Sequence, residues 1–226
     1  MGIPNATHQV ASNAIAALGA YISLHTATCG TTGASETSGG SYVRQSATPW
    51  TADGVGDNSG VQVNIPCAAG TYTDAGIFST VSGTTISVPS GVTATGSGTG
   101  GTFAAATYYW KITATNFAGE TTGSSEVSAV LTGSTSSSAL AWSAVTGANG
   151  YKVYRGTASN TENVLVTTIT NGATVAYTDT GSAGTAATVP VSNTAATFIG
   201  GNAFNGGSVT VSGTGASINV SPTITA

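Results

Sequence analysis

The sequence predicts an all-β fold with one N-terminal helix, built as a discontinuous host domain interrupted by an inserted β-sandwich. Three observations predict it. Short runs alternate apolar and polar residues with period two, the mark of half-buried strands. One stretch alone, near the N-terminus, has helical spacing. The Gly, Ser and Thr-rich texture of the first third changes near Val88-Pro89-Ser90 and returns after about residue 190. Boundaries at 1–88 (host, first part), 89–190 (insert) and 191–226 (host, second part) follow. Insertion is tolerated where host chain ends lie close together at a surface loop.

Residues 7–18, THQVASNAIAAL, form the predicted helix. Val10, Ala14 and Leu18 recur at i, i+4 and i+8, with Ala11 and Ile15 beside them. Thr7 is placed as N-cap and Gly19 as the left-handed C-terminal residue. The small apolar face implies close packing on a sheet or on a neighbouring subunit, so Val10, Ala14 and Leu18 are the candidate assembly contacts.

Ala20–Thr26 alternates as a strand, and Tyr42–Gln45 is a second strand-like run after a Gly/Ser/Thr loop. Asp53-Gly54 and Asp57–Gly60 read as turns. Gly60–Pro66 and Thr71–Thr80 read as further strands. Gly91–Gly101 reads as a flexible linker. Beyond it, Thr107–Thr115, Ser125–Thr132, Ala139–Val145, Gly150–Arg155, Val164–Thr170 and Thr174–Asp179 are strands. Asn149-Gly150 and Asn171-Gly172 are the strongest turn signals between them. Short strands with turns at intervals of about 8–12 residues are the pattern of a sandwich. Three final strands, at Thr197–Ile199, Ser208–Ser212 and Ala216–Thr225, are too few to fold alone. They are assigned to the sheet begun by residues 20–86.

Charged residues make up 5% of the 226-residue chain, against about a quarter in ordinary soluble domains. Such an exterior suits a chain whose surface is largely covered in an assembly. Four cations and a net charge of −4 exclude a polyanion binder, because too few charges are present to neutralise phosphates. No apolar run approaches the roughly 20 residues that span a bilayer, so no membrane insertion is expected. MGIPNA has neither a basic nor an apolar leader region, and Ala6 breaks the myristoylation pattern.

Reactive constellations are sparse. Cys29 and Cys67 form either a disulfide or two buried thiols, with a reducing assembly site favouring the thiols. His25, Cys29, Cys67 and His8 match no standard zinc spacing. Gly96, Gly98 and Gly101 spell G-x-G-x-x-G, with Glu120 about twenty residues on. A strand follows where the dinucleotide reading needs a helix. No G-x-S-x-G elbow occurs, and turn chemistry accounts for Asp53 and Asp57. No catalytic, cofactor or metal residues are therefore assigned, and no enzyme activity is expected. Trp110, Trp142, Tyr108, Tyr151 and Tyr154 alternate as core residues do; the competing reading is a sugar-stacking face.

Two resemblances add to this reading. Ile22–Gln45, ISLHTATCGTTGASETSGGSYVRQ, resembles the signature of a family of virion proteins of actinobacterial phages, labelled tail fibre, minor tail or head-decoration protein. The carrying residues are Ser23–Thr26, Gly30–Gly33, Glu36, Ser38–Gly40, Tyr42 and Arg44, with further matches at Thr73–Phe78 and Ser208–Val220. Cys29 departs from the family, which commonly has Asp-Pro at Thr28-Cys29. Ala141–Ala158, AWSAVTGANGYKVYRGTA, is similar to fibronectin type III modules, which makes the insert Ig/fibronectin III-like. The resemblance implies a bacteriophage virion structural protein at the particle surface, made in the host cytoplasm. Its implied partners are its own copies, as a homotrimer, and a major capsid or tail protein. The alternative is a carbohydrate-binding adhesin module whose partner is a host cell-surface glycan.

Overall fold

A computed structural model of the chain describes residues 3–226. The chain divides into two compact units. Met1–Thr84 and Thr197–Ala226 form one, and Thr85–Ala196 forms the other. The predicted boundaries lay a few residues inside these limits.

The discontinuous unit opens with α1 (Asn5–Ala16), β1 (Tyr21–His25), β2 (Gln45–Ser46), β3 (Thr51–Ala52), β4 (Asp57–Ser59), β5 (Val63–Pro66), β6 (Gly70–Tyr72) and β7 (Asp74–Phe78). The inserted unit contains β8 (Thr93–Ser97), β9 (Ala106–Thr115), β10 (Val127–Leu131), β11 (Ser137–Ala141), β12 (Gly150–Gly156), β13 (Val164–Ile169), β14 (Ala176–Asp179) and β15 (Thr185–Ala186). The first unit then resumes with β16 (Phe198–Ala203), β17 (Val209–Val211), β18 (Ser217–Val220) and β19 (Thr223–Thr225).

The returning strands retrace the outgoing ones. β16 pairs antiparallel with β7, β17 with β6, β18 with β5 and β19 with β4. Residues 57–78 and 198–225 thus run as one long, interrupted hairpin, with Thr85–Ala196 as the connection between its arms. At the junction Ser79 N–H donates to Thr197 O at 2.8 Å, and Thr197 N–H donates to Thr84 O at 3.0 Å. The core of this unit holds Ile22, Leu24, Val63, Ile65, Tyr72, Ile218 and Val220. Both arms contribute, so neither buries its apolar face alone.

The inserted unit is a sandwich of a five-stranded sheet, β10-β9-β12-β13-β15, and a three-stranded sheet, β14-β11-β8. Trp110 and Ile112 from β9, Tyr151 and Val153 from β12, Leu140 from β11 and Trp142 just beyond it fill the space between. Alternation on β9 does this directly: Tyr108, Trp110 and Ile112 face the core, and Tyr109, Lys111 and Thr113 the other side. In the immunoglobulin arrangement the sheet neighbours of strand C, strands F and G, follow it in the chain. Here β9 and β10 precede β12, the strand of the Gly-Tyr-Lys-Val-Tyr-Arg motif, so the chain order differs from that arrangement.

Several local expectations need correction. The helix runs Asn5–Ala16 rather than 7–18. Pro4, at φ −62 and ψ 146, stands at its N-cap, and no side chain caps it. Proline's fixed φ starts the helix earlier than Thr7 would. Ala17, not Gly19, closes it. Gly19 serves close approach instead, since an added Cβ would lie 2.5 Å from Ser79 Cα. Thr93–Ser97, read as part of a linker, is an edge strand on β11, with Gly96 packed against Leu131 and Ala129. Asp57–Ser59, read as a turn, is a strand between β3 and β19. Asp53 does make the turn: its Oδ1 accepts from the N–H groups of Val55, Gly56 and Asp57.

Candidate functional site

Helix α1 is turned the opposite way from a core helix. Ser12 is its buried residue, while Val10 is 69% exposed, Leu18 just past the helix is 37% exposed, and Ala14 is exposed. The helix rests on β4 and β19, and polar groups hold it there. Asn58 Nδ2 donates to Ser12 Oγ at 2.9 Å and to Asn13 Oδ1 at 2.8 Å. Gly54 N–H donates to Gln9 Oε1 at 2.7 Å, and Gln9 Nε2 donates to Asp57 O at 3.3 Å. Packing of the Val10, Ala14 and Leu18 face on a sheet of its own chain is therefore overturned. Asn58, buried in its strand, selects the polar face, because an unpaired buried amide costs more than leaving a few small apolar groups wet. The outward stripe carries no charge, for no Asp, Glu, Lys or Arg occurs in α1.

The signature segment forms a second constellation. β1 is buried on both faces: Ile22 and Leu24 enter the main core, and Ser23 and His25 the other side. His25 Nδ1 lies 2.7 Å from Ala34 O, so this nitrogen carries the proton and donates. In the neutral ring Nε2 then accepts from Ser23 Oγ at 2.8 Å. The pair has the contacts of a base-activated nucleophile, but both side chains are inaccessible, and the third group is a carbonyl rather than a carboxylate. Gly76 seals it, since an added Cβ would sit 2.7 Å from Ser23 Oγ and 2.8 Å from His25 Nε2. No substrate atom fits there, and the arrangement is a packed hydrogen-bond network.

Glu36 and Arg44 close the segment. The carboxylate accepts Arg44 Nε at 2.7 Å and Nη2 at 2.6 Å, and Tyr42 Oη at 2.7 Å. Arg44 Nη1 donates to Thr80 O and Gly83 O, each at 3.0 Å. Burial alone would raise the Glu36 carboxyl, but the bonds from Arg44 and Tyr42 outweigh it and hold the group below its ordinary range. The planar fork thus ties the loop to the chain end leaving β7.

The Cys29–Cys67 disulfide does not form. Both are free, buried thiols in separate apolar clusters. Cys29 N–H and Sγ both donate to Asp74 Oδ2, at 3.2 and 3.5 Å. Burial, with the bond and charge of Asp74, pushes its thiol up. Among the described residues no three of His, Cys, Asp and Glu come together as a metal site. Gly96–Gly101 runs from β8 into a turn, with no helix after it to receive a pyrophosphate. No helix among the described residues is long and apolar enough to cross a membrane. Trp110, Trp142, Tyr151 and Tyr154 are buried, and Tyr108 packs against the core, so these rings do not form a sugar-stacking face.

Comparison of the chain with protein-family models, with curated proteins and with solved structures returns no match.

Proposed function

We propose that the chain is a structural protein of bacteriophage particles, whose discontinuous unit docks into the particle and whose inserted sandwich is the part displayed. The observation that carries this reading is the reversed helix. A polar face spends its hydrogen bonds inside the subunit, and Val10, Ala14 and Leu18 are left for a neighbour. An uncharged stripe of small residues lets two backbones approach closely without desolvating an ion. The sparse charge of the whole chain and the phage-like signature of Ile22–Gln45 support the same reading. The burial of the aromatic set removes the support those rings gave to a glycan-binding adhesin.

The neighbour is a second copy, with the homotrimer as the expected state, and the trimer sits on the major capsid or tail protein. Light scattering of purified protein at micromolar concentration tests this. The wild type is expected as an oligomer, and Val10→Glu as a folded monomer. A monomeric wild type overturns self-association. Labelled virions viewed at low resolution then test particle attachment separately.

A further inference from the structure

One cluster in the inserted sandwich has no part in that reading. Lys111 projects from the outer side of β9. Its Nζ lies 3.2 Å from Asn160 Oδ1 and 3.0 Å from Glu162 Oε2. The Glu162 side chain is 2% exposed, and its other oxygen, Oε1, is buried without a hydrogen-bond donor. Asn160 is held in place from behind. Its backbone N–H and the Ser159 hydroxyl both donate to Glu126. Its φ is +58, a left-handed conformation that few non-glycine residues adopt. Such backbone positions gather where a local geometry is fixed for use. The three side chains line a cleft of about 550 Å³ with Gly123, Ser124 and Val189.

We propose that Lys111 and Asn160 join spontaneously through an intramolecular amide bond, with Glu162 as the catalytic residue that moves the protons. A lysine amine that touches both a carboxamide and a buried carboxyl brings together the components such a condensation needs. The Lys111 ammonium gives a proton to Glu162, and the free amine attacks Cγ of Asn160. Glu162 returns the proton to Nδ2, the Cγ–Nδ2 bond breaks, and ammonia leaves with the second proton of the former amine. The new Nζ–Cγ amide remains, and Glu162 ends as it began. No oxidant, reductant or co-reactant is required.

The setting favours the proton transfers. Burial raises the Glu162 carboxyl above its ordinary range, and the neighbouring Glu126 carboxyl adds to this, against the opposing pull of Lys111. A carboxyl shifted upward accepts a proton more readily than an ordinary one. The product fastens β9 to the loop between β12 and β13, closing a ring through the sheet. It is independent of whether the chain belongs to a virion.

Denaturing mass spectrometry of the full chain tests the bond directly. The expected mass is lower than that of the sequence by about 17 Da, the mass of one ammonia. Trypsin should fail to cut after Lys111 and should release 45–152 linked to 156–226. Lys111→Arg and Glu162→Gln should each restore the full mass. A wild type of full mass, with free cleavage at Lys111, overturns the proposal. So does a deficit that persists in Lys111→Arg, because succinimide formation at an Asn-Gly step removes the same mass. A Glu162→Gln chain that still cross-links fully overturns the role of Glu162.

Discussion

Arg44 sits over the ring of Phe78, with its guanidinium carbon 3.3 Å from the ring centroid. The same guanidinium forks onto Glu36 and reaches two carbonyls beyond β7. The aromatic face, the carboxylate and the carbonyls account for its charge from every side. A motif that resembles a family signature is thus, physically, the clasp of a small domain.

Removing the clasp should be costly. Arg44→Ala leaves Glu36 partly buried without its counter-charge, and the expected loss is about 3 kcal/mol. Arg44→Lys should recover only part of it, since an ammonium cannot fork or stack in the same way. Urea unfolding measures both. Equal stability of wild type and alanine variant would contradict the account.

Gly76→Ala should destabilise by about 1–3 kcal/mol through overpacking. Its new methyl meets Ser23 and His25, and the Phe198 ring at 3.0 Å. Calorimetry of the variant should show a lower Tm. An unchanged Tm would mean that the Ser23–His25 network is loose enough to shift.

Acid should weaken the protein. Glu36 is held low as described above. At Glu120 burial again pulls upward, and the bonds from Lys152, Thr113 and Tyr154 win. For groups depressed in the folded state, the unfolded chain binds more protons as pH drops. Their stabilisation is full above the ordinary value of 4.5 and is lost as pH falls through the lowered ones. Glu162, raised in the fold, has the opposite sign, and its contribution declines as pH rises above 4.5. The urea midpoint followed against pH should therefore fall steeply on the acid side. In Arg44→Ala that fall should be shallower.

Reductant should leave Tm unchanged, because Cys29 and Cys67 are free. Thiol reagents should label neither residue until the chain is unfolded. A Tm that drops on reduction would reveal a bond absent from this structure.

Replacing Thr85–Ala196 by a two-residue Asn-Gly turn should give a folded host. Thr84 and Thr197 already hydrogen-bond as antiparallel neighbours, which is the geometry such a turn closes. Circular dichroism and light scattering of the shortened chain check folding and association together.

Much of the architecture was legible because alternation is a local signal. Tyr21–His25, Ala106–Thr115 and Gly150–Gly156 all lie where period-two patterns placed strands. The assignment of the last strands to the first domain also followed from counting, since three strands cannot make a core. Thr93–Ser97 was hidden because its Gly, Ser and Thr residues look like linker, and only pairing with β11 makes it a strand. The orientation of α1 was hidden for a related reason. Helical spacing marks an apolar face, but burial of Asn58 on another element decides which face turns inward. Contact of Lys111 with Asn160, 49 residues apart, left no trace in spacing. It depends on the loop conformation set by Glu126.

The interrupted hairpin has a mechanical consequence. The inserted unit is joined covalently to the first through two hydrogen-bonded neighbours, Thr84 and Thr197, so a pull on it is passed to both. Tension is divided between β7 and β16, and the rungs joining them are not sheared against one another. A load shared by two paired strands is borne better than one hung from a single strand.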